Sequence, residues 1–172
     1  MKIPVVIGIC LALAIIPLAR GAQDSMEFEV TVTILEVIDP NTFKLEIKDY
    51  EAINEEKGFD ATVSGCTLKE TEEFKISTSQ EINENAKETL IEELKKTYEG
   101  KEATIVVNYA PKYEKHLIPR VNLEPYAYEV LRGDGGVLAG SLTVDGNSIA
   151  EEVDALIPII NSLVEWRPEC SE

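Results

Sequence analysis

Basic residues are scarce in this chain: 16 Lys and Arg stand against 32 Asp and Glu, for a formal charge of −16 over 172 residues. A field of that sign repels phosphate backbones at long range and favours a soluble monomer. Nucleic acid is therefore not the expected partner unless a local basic groove or bound cations compensate. Histidine is limited to His116, which excludes an imidazole metal cluster and any nucleophile–base pair that needs a second histidine. A surface-loop residue is its plainer reading. Repeats, low-complexity tracts and a second domain are also absent. Ser64-Gly65-Cys66 lacks nucleophile-elbow or redox context, and Arg132-Gly133-Asp134 reads as an ordinary turn.

The first 21 residues are to be set apart from the fold. Lys2 precedes an almost continuous apolar run over 3–19, and Ala19-Arg20-Gly21 places small residues where a signal peptidase reads them. Residues 1–21 are expected to be a secretory signal peptide, followed by a short linker (22–26), one domain (27–166) and a tail (167–172). The alternative is an uncleaved anchor, because the run approaches the roughly 17 to 25 residues that span a bilayer. Cleavage would leave no stably inserted segment, and the product would be extracytoplasmic. Losing Lys2 and Arg20 and no acid would leave 151 residues with a charge of −18. That excess acid reads as a solvated surface or as a diffuse site for calcium or other cations. Cys66 and Cys170 remain. If they pair, a closed loop of about 100 residues contributes on the order of 4 to 5 kcal/mol; otherwise Cys66 is a small core hydrophobe and Cys170 lies on a frayed tail.

Residues 27–38 alternate Phe28, Val30, Val32 and Ile34 with polar neighbours, the period of a half-buried strand. A slip at Ile34-Leu35 marks a bulge. The chain turns at Asp39-Pro40-Asn41-Thr42 and restarts with Phe43, Leu45 and Ile47 on one face, a hairpin signature. Residues 49–60 read as a charged loop ending at Gly58, 61–68 as a third strand, and 69–80 as a polar loop with at most short extended pieces. Ile82, Ala86, Leu90, Leu94 and Tyr98 recur every four residues before Gly100, which predicts a helix. Residues 102–109 form a fourth strand, and 110–126, punctuated by Pro111, Pro119 and Pro125, a long loop. Tyr109, Tyr113, Tyr126 and Tyr128 in and beside it either form a stacking platform or close the barrel end. A short strand (127–131), a Gly-rich turn, a last strand (137–144) and a helix opened by a Ser148 to Glu151 capping box complete the pattern. Pro158 is expected to break that helix in two. The order predicts an α+β, mainly β fold: a five-stranded OB-type Greek-key barrel with one interposed helix and C-terminal helices.

Four segments, in order, resemble the staphylococcal-nuclease (thermonuclease-type) family. Residues 37–45 (VIDPNTFKL) are similar to its V-x-D-G-D-T-x-x-L hairpin, and 61–70 (ATVSGCTLKE) to its V-R-L-x-G-I-D-x-P-E strand and loop. The helix with Gly100-Lys101 resembles its helix and G-K-x-V-x-V strand, and 137–153 its G-R-x-L-A-x-V-x-x-D-G segment. The resemblance implies an OB barrel and a site in which calcium on carboxylates, a glutamate base and two arginines act on a phosphodiester. Carried over residue by residue, the metal carboxylates fall on Asn41 and Thr67, and the arginines on Thr62 and Val137. The glutamate survives as Glu70, and Asp39 holds the outer hairpin position. Losing charged donors removes most of the stabilisation such a site supplies, about 3 to 4 kcal/mol for one donor alone. No catalytic residue is expected, these six positions being vestigial, and no cofactor; if calcium binds, Asp39, Asn41 and Glu70 would hold it. Arg120 or Arg132 would have to substitute for the lost arginines. The expected function is a secreted, acidic, non-catalytic binding or structural module whose partner the sequence does not name. The alternative is an active calcium-dependent nuclease with a rearranged site.

Overall fold

A computed structural model of the protein describes residues 25–113 and 124–165. Residues 1–21, His116, Arg120 and Cys170 lie outside that description. Strand β1 (Met26–Asp39) buries Val30, Val32, Ile34 and Val37, as its alternation dictates. Its pairing with β2 (Thr42–Glu46) slips twice, between Ile34 and Glu36 and between Val37 and Asp39. The skipped residues, Leu35 and Ile38, are 42% and 41% exposed, so each bulge turns one apolar side chain outward and bends the strand. Asp39 pairs with Thr42, and Pro40, which has no N–H to offer a ladder, sits in the turn.

The third strand is not where the sequence placed it. Residues 61–67 are turns, and the strand paired with β2 is β3 (Thr71–Lys75), inside the stretch expected to be loop. Local chemistry explains the first error: the Asp60 carboxylate accepts both the N–H and the hydroxyl of Thr62, which holds the backbone in a turn rather than a ladder. The second arises because an inward position of β3 is an acid, Glu72, beside Phe74, so the alternation looks polar. Residues 49–60 also differ from the loop expected there. They contain helix α1 (Tyr50–Lys57), which buries no residue fully and ends at Gly58 in the left-handed conformation (φ 65°). Without an apolar stripe it carries no helical signature.

Helix α2 (Glu84–Tyr98) buries Ala86, Leu90, Leu94 and Tyr98, the predicted stripe, and Gly100 follows with φ 81°. Strand β4 (Glu102–Lys112) pairs antiparallel with β1 from Met26↔Tyr109 to Thr33↔Glu102, and its far end pairs with β5 (Ala127–Val130). The last expected strand is split by Gly140-Ser141 into β6 (Leu138–Ala139), parallel to β3, and β7 (Leu142–Val144), antiparallel to β4. A Cβ at Gly140 would meet Val106 O at 3.0 Å and the Phe74 ring at 3.6 Å, so this close crossing needs glycine. Asp145 and Gly146, both at positive φ, turn the chain into β8 (Asn147–Ser148). The sheet order is β6-β3-β2-β1-β4-β7-β8, with β5 also on β4. The result is a mixed α+β fold: a curled, half-barrel sheet with three helices.

Helix α3 (Ile149–Glu165) runs unbroken through Pro158, against expectation, and two helices rather than one precede β4. Val153, Ile157 and Ile160 bind the helix to the core on both sides of Pro158, whose own side chain is exposed. Packing thus holds the geometry while the orphaned carbonyl can turn to water. Pro158→Ala restores that hydrogen bond and is expected to raise stability by about 1 to 3 kcal/mol; urea unfolding followed by circular dichroism checks it.

Candidate functional site

The hairpin turn contributes one wall of a hollow of about 360 Å³ whose lining includes Asp39, Asn41, Thr78, Glu81, Glu84 and Lys87. The opposite wall is fixed by α3. Asp154 accepts from Ser79 N at 2.9 Å, Ser79 Oγ at 2.8 Å and Gln80 N at 3.0 Å. The Ser79 backbone N–H, with the other donors, holds the Asp154 carboxyl below its usual range. Asn161 accepts from Asn83 N at 3.0 Å and donates to Glu81 O at 3.1 Å. Ile76 N donates to Asn41 O at 2.9 Å, joining the wall to the turn. Inside the hollow Lys87 Nζ lies 2.9 Å from Asp39 Oδ1. That oxygen is buried and has no hydrogen-bond partner of acceptable angle, so the contact is an ion pair rather than a directed hydrogen bond. Asp39 pushes the lysine pKa up and keeps the ammonium charged. Three carboxylates therefore face one cation that is already paired.

The positions drawn from the sequence are not gathered at one place. Asp39 and Asn41 line this hollow, whereas Thr67 and Glu70 line a different one, of about 540 Å³, beside α1. Thr62 is spent on Asp60. Val137 is half-buried after a short 3-10 turn, its carbonyl accepting from Gly133 N at 2.8 Å. Sequence reasoning missed Thr78, Glu81, Glu84 and Lys87 because the wrong third strand drew attention to 61–70; the helical stripe of α2 did place Lys87 just outside its buried face.

Arg132 is not free to replace a lost arginine. Its guanidinium grips Glu72 with two bonds of 2.6 and 2.8 Å, and donates to Gly65 O at 2.9 Å, Thr67 O at 2.7 Å and Gly136 O at 3.1 Å. All five N–H donors are used. Glu72, 4% exposed, accepts also from Lys69 N at 2.9 Å.

A second polar cluster lies at the β4–β5 end of the sheet. Lys112 Nζ donates to Asp60 Oδ2 at 2.8 Å, lies 3.8 Å from Glu129, and donates to Cys66 Sγ at 3.5 Å. Lys112 and Thr62 hold the Asp60 carboxyl down at about 2, and Asp60 in turn pushes the lysine pKa up. Burial raises the pKa of the Cys66 thiol, which is free in this structure; its expected partner Cys170 lies outside the described residues. Tyr109 packs against Phe28, Phe59 and Tyr128 at centroid distances of 5.5 to 5.7 Å, Phe28 and Phe59 lie 6.1 Å apart, and Tyr126 is exposed. Tyr109 and Tyr128 thus belong to one aromatic cluster at the β4–β5 end of the sheet.

Among the described residues no three His, Cys, Asp or Glu side chains are grouped to hold a metal ion, and no helix is long and apolar enough to cross a membrane. No protein-family model and no curated protein matches the chain.

Arg132→Ala leaves Glu72 charged and buried and is expected to cost about 3 to 5 kcal/mol, whereas the double change Arg132→Met with Glu72→Leu recovers most of it; equilibrium urea unfolding of the three proteins decides. The Asp60 carboxyl is depressed in the folded state relative to about 3.9 unfolded. Its stabilisation is therefore complete above about pH 4 and lost as pH falls toward 2. Asp60→Asn is expected to be less stable than the parent at pH 7, with the difference shrinking between pH 4 and 2 in the same unfolding assay.

Proposed function

We propose that the protein is an exported, acidic, nuclease-like OB-fold domain that has lost phosphodiesterase chemistry and works as a binding or structural module. Support for the barrel comes from the connectivity. With 138–144 counted as one interrupted strand and the short β5 and β8 set aside, five strands remain in which β1 pairs with β2 and β4, the fifth lies parallel to β3 and antiparallel to β4, and α2 bridges the third and fourth. This connectivity supports a Greek-key closure of the OB type.

Taking β3 as the motif's strand shifts the proposed resemblance along the chain. Laid on residues 72–81 instead of 61–70, the strand-and-loop motif puts its arginine on Glu73, its aspartate on Thr78 and its glutamate on Glu81. Asn41, Thr78 and Glu81 then share the hairpin hollow. The reading is carried by the hollow's charge: its one cation, Lys87, is neutralised by Asp39, and Asp39, Glu81 and Glu84 repel a phosphodiester. Calcium does not fit the hollow as built. The first two metal positions are the neutral Asn41 and Thr78, and the lysine ammonium beside Asp39 opposes a second cation.

The purified protein, incubated with single-stranded DNA or RNA and calcium at low salt, is expected to give no cleavage above buffer and no retained complex. Calcium-dependent cleavage that disappears in Glu81→Gln sinks this reading and establishes a rearranged nuclease in its place.

A further inference from the structure

The larger hollow, beside α1, lies outside every element of the family resemblance as re-registered, and its chemistry differs from that of the hairpin site. Its lining includes Tyr50, Glu51, Glu55, Phe59, Lys69 and Glu70, around about 540 Å³, a volume within the range of small-molecule sites, roughly 300 to 1,000 Å³. The walls are braced. Asn54 Nδ2 donates to Leu68 O at 2.8 Å and its Oδ1 accepts from Leu68 N at 2.9 Å, clamping the helix to the facing segment. Arg132 holds the carbonyls of Gly65 and Thr67 in that same segment. Two aromatic rings contribute to the lining: Phe59 is buried, and Tyr50 is half-buried with its hydroxyl donating to Glu51 at 3.0 Å. The carboxylates of Glu51 and Glu70 together push the Tyr50 pKa up, so the fields of both reach the ring. Glu55 and Glu70 enter no salt bridge among the described residues.

An anionic rim over aromatic walls suits one class of ligand. Rings attract organic cations through their faces, carboxylates pair with ammonium groups, and methylene chains cover apolar wall. A hydrated metal ion gains nothing from Tyr50 and Phe59, and an anion is repelled by three glutamates against Lys69 alone. We propose that this hollow is a binding site for a small organic polyamine, with Glu55 and Glu70 pairing to its ammonium groups and Tyr50 packing on its methylenes. The inference is independent of whether the hairpin hollow is catalytically dead, since it would hold equally in an active enzyme.

Calorimetric titration of the secreted protein with spermidine is the test, alongside 1,6-hexanediol and magnesium chloride at matched ionic strength. One saturable site for spermidine is expected, with no heat from the diol. Glu55→Gln with Glu70→Gln should weaken it about tenfold, the scale of two partly exposed ion pairs. Glu88→Gln with Glu92→Gln, which removes equal charge from the exposed face of α2, should leave it unchanged. Tyr50→Ala, with folding confirmed by circular dichroism, should weaken spermidine but not magnesium. Equal loss in the two glutamine pairs, full displacement by magnesium, or no saturable binding would each overturn the proposal by reducing the effect to the diffuse field of an acidic surface.

Discussion

Five hydrogen bonds from one guanidinium join parts of the chain that share no ladder. Arg132, after β5, reaches the buried Glu72 of β3 and the carbonyls of Gly65, Thr67 and Gly136. Each partner needs the others. Glu72 is 4% exposed and is tolerable in β3 only because a planar, bidentate cation meets it. In the segment 61–68 the carbonyls of Gly65 and Thr67 accept from this same cation, while Cys66 O accepts from Val130 N and Leu68 O from Asn54 Nδ2. Strand β3, one wall of the α1 hollow and the Gly-rich turn are thus tied to one another by a single side chain.

That dependence also explains what could be read from the sequence. The β1–β2 hairpin, the α2 stripe, the bulge at Leu35, the paired positive-φ residues Asp145-Gly146 and the capping serine at 148 were legible because each signal is local: alternation, four-residue spacing or turn chemistry within a dozen residues. Glu72 was not. An acid at an inward strand position reads as solvent-exposed until its partner is known, and that partner lies sixty positions away. The misplaced strand put Thr67 and Glu70 among the candidate positions, although they line a different hollow from Asp39 and Asn41. Asp39 and Asn41 survived as site residues because the hairpin that carries them was read correctly; Lys87 and Glu81 reach them only through tertiary packing.

The two hollows show opposite uses of acidity. At the hairpin turn Asp39 is consumed by Lys87 and the remaining carboxylates leave no grip for phosphate. Beside α1 the glutamates stand at the rim of an aromatic cavity with one lysine among them. A surface of net charge −16 is therefore not uniform in chemistry, because local cations and rings decide what each patch admits.

Residues 138–144 touch both free margins of the sheet, β3 through Leu138-Ala139 and β4 through Leu142-Thr143, with Gly140 at the crossing. Until that short segment is available, β4 is joined to the β1–β2–β3 meander through β1, while the margins at β3 and β4 stay apart. The pairs it makes span long stretches of sequence, which places closure late and makes folding slow relative to helix formation. A nascent chain emerging from its N-terminus thus stays open for most of its synthesis.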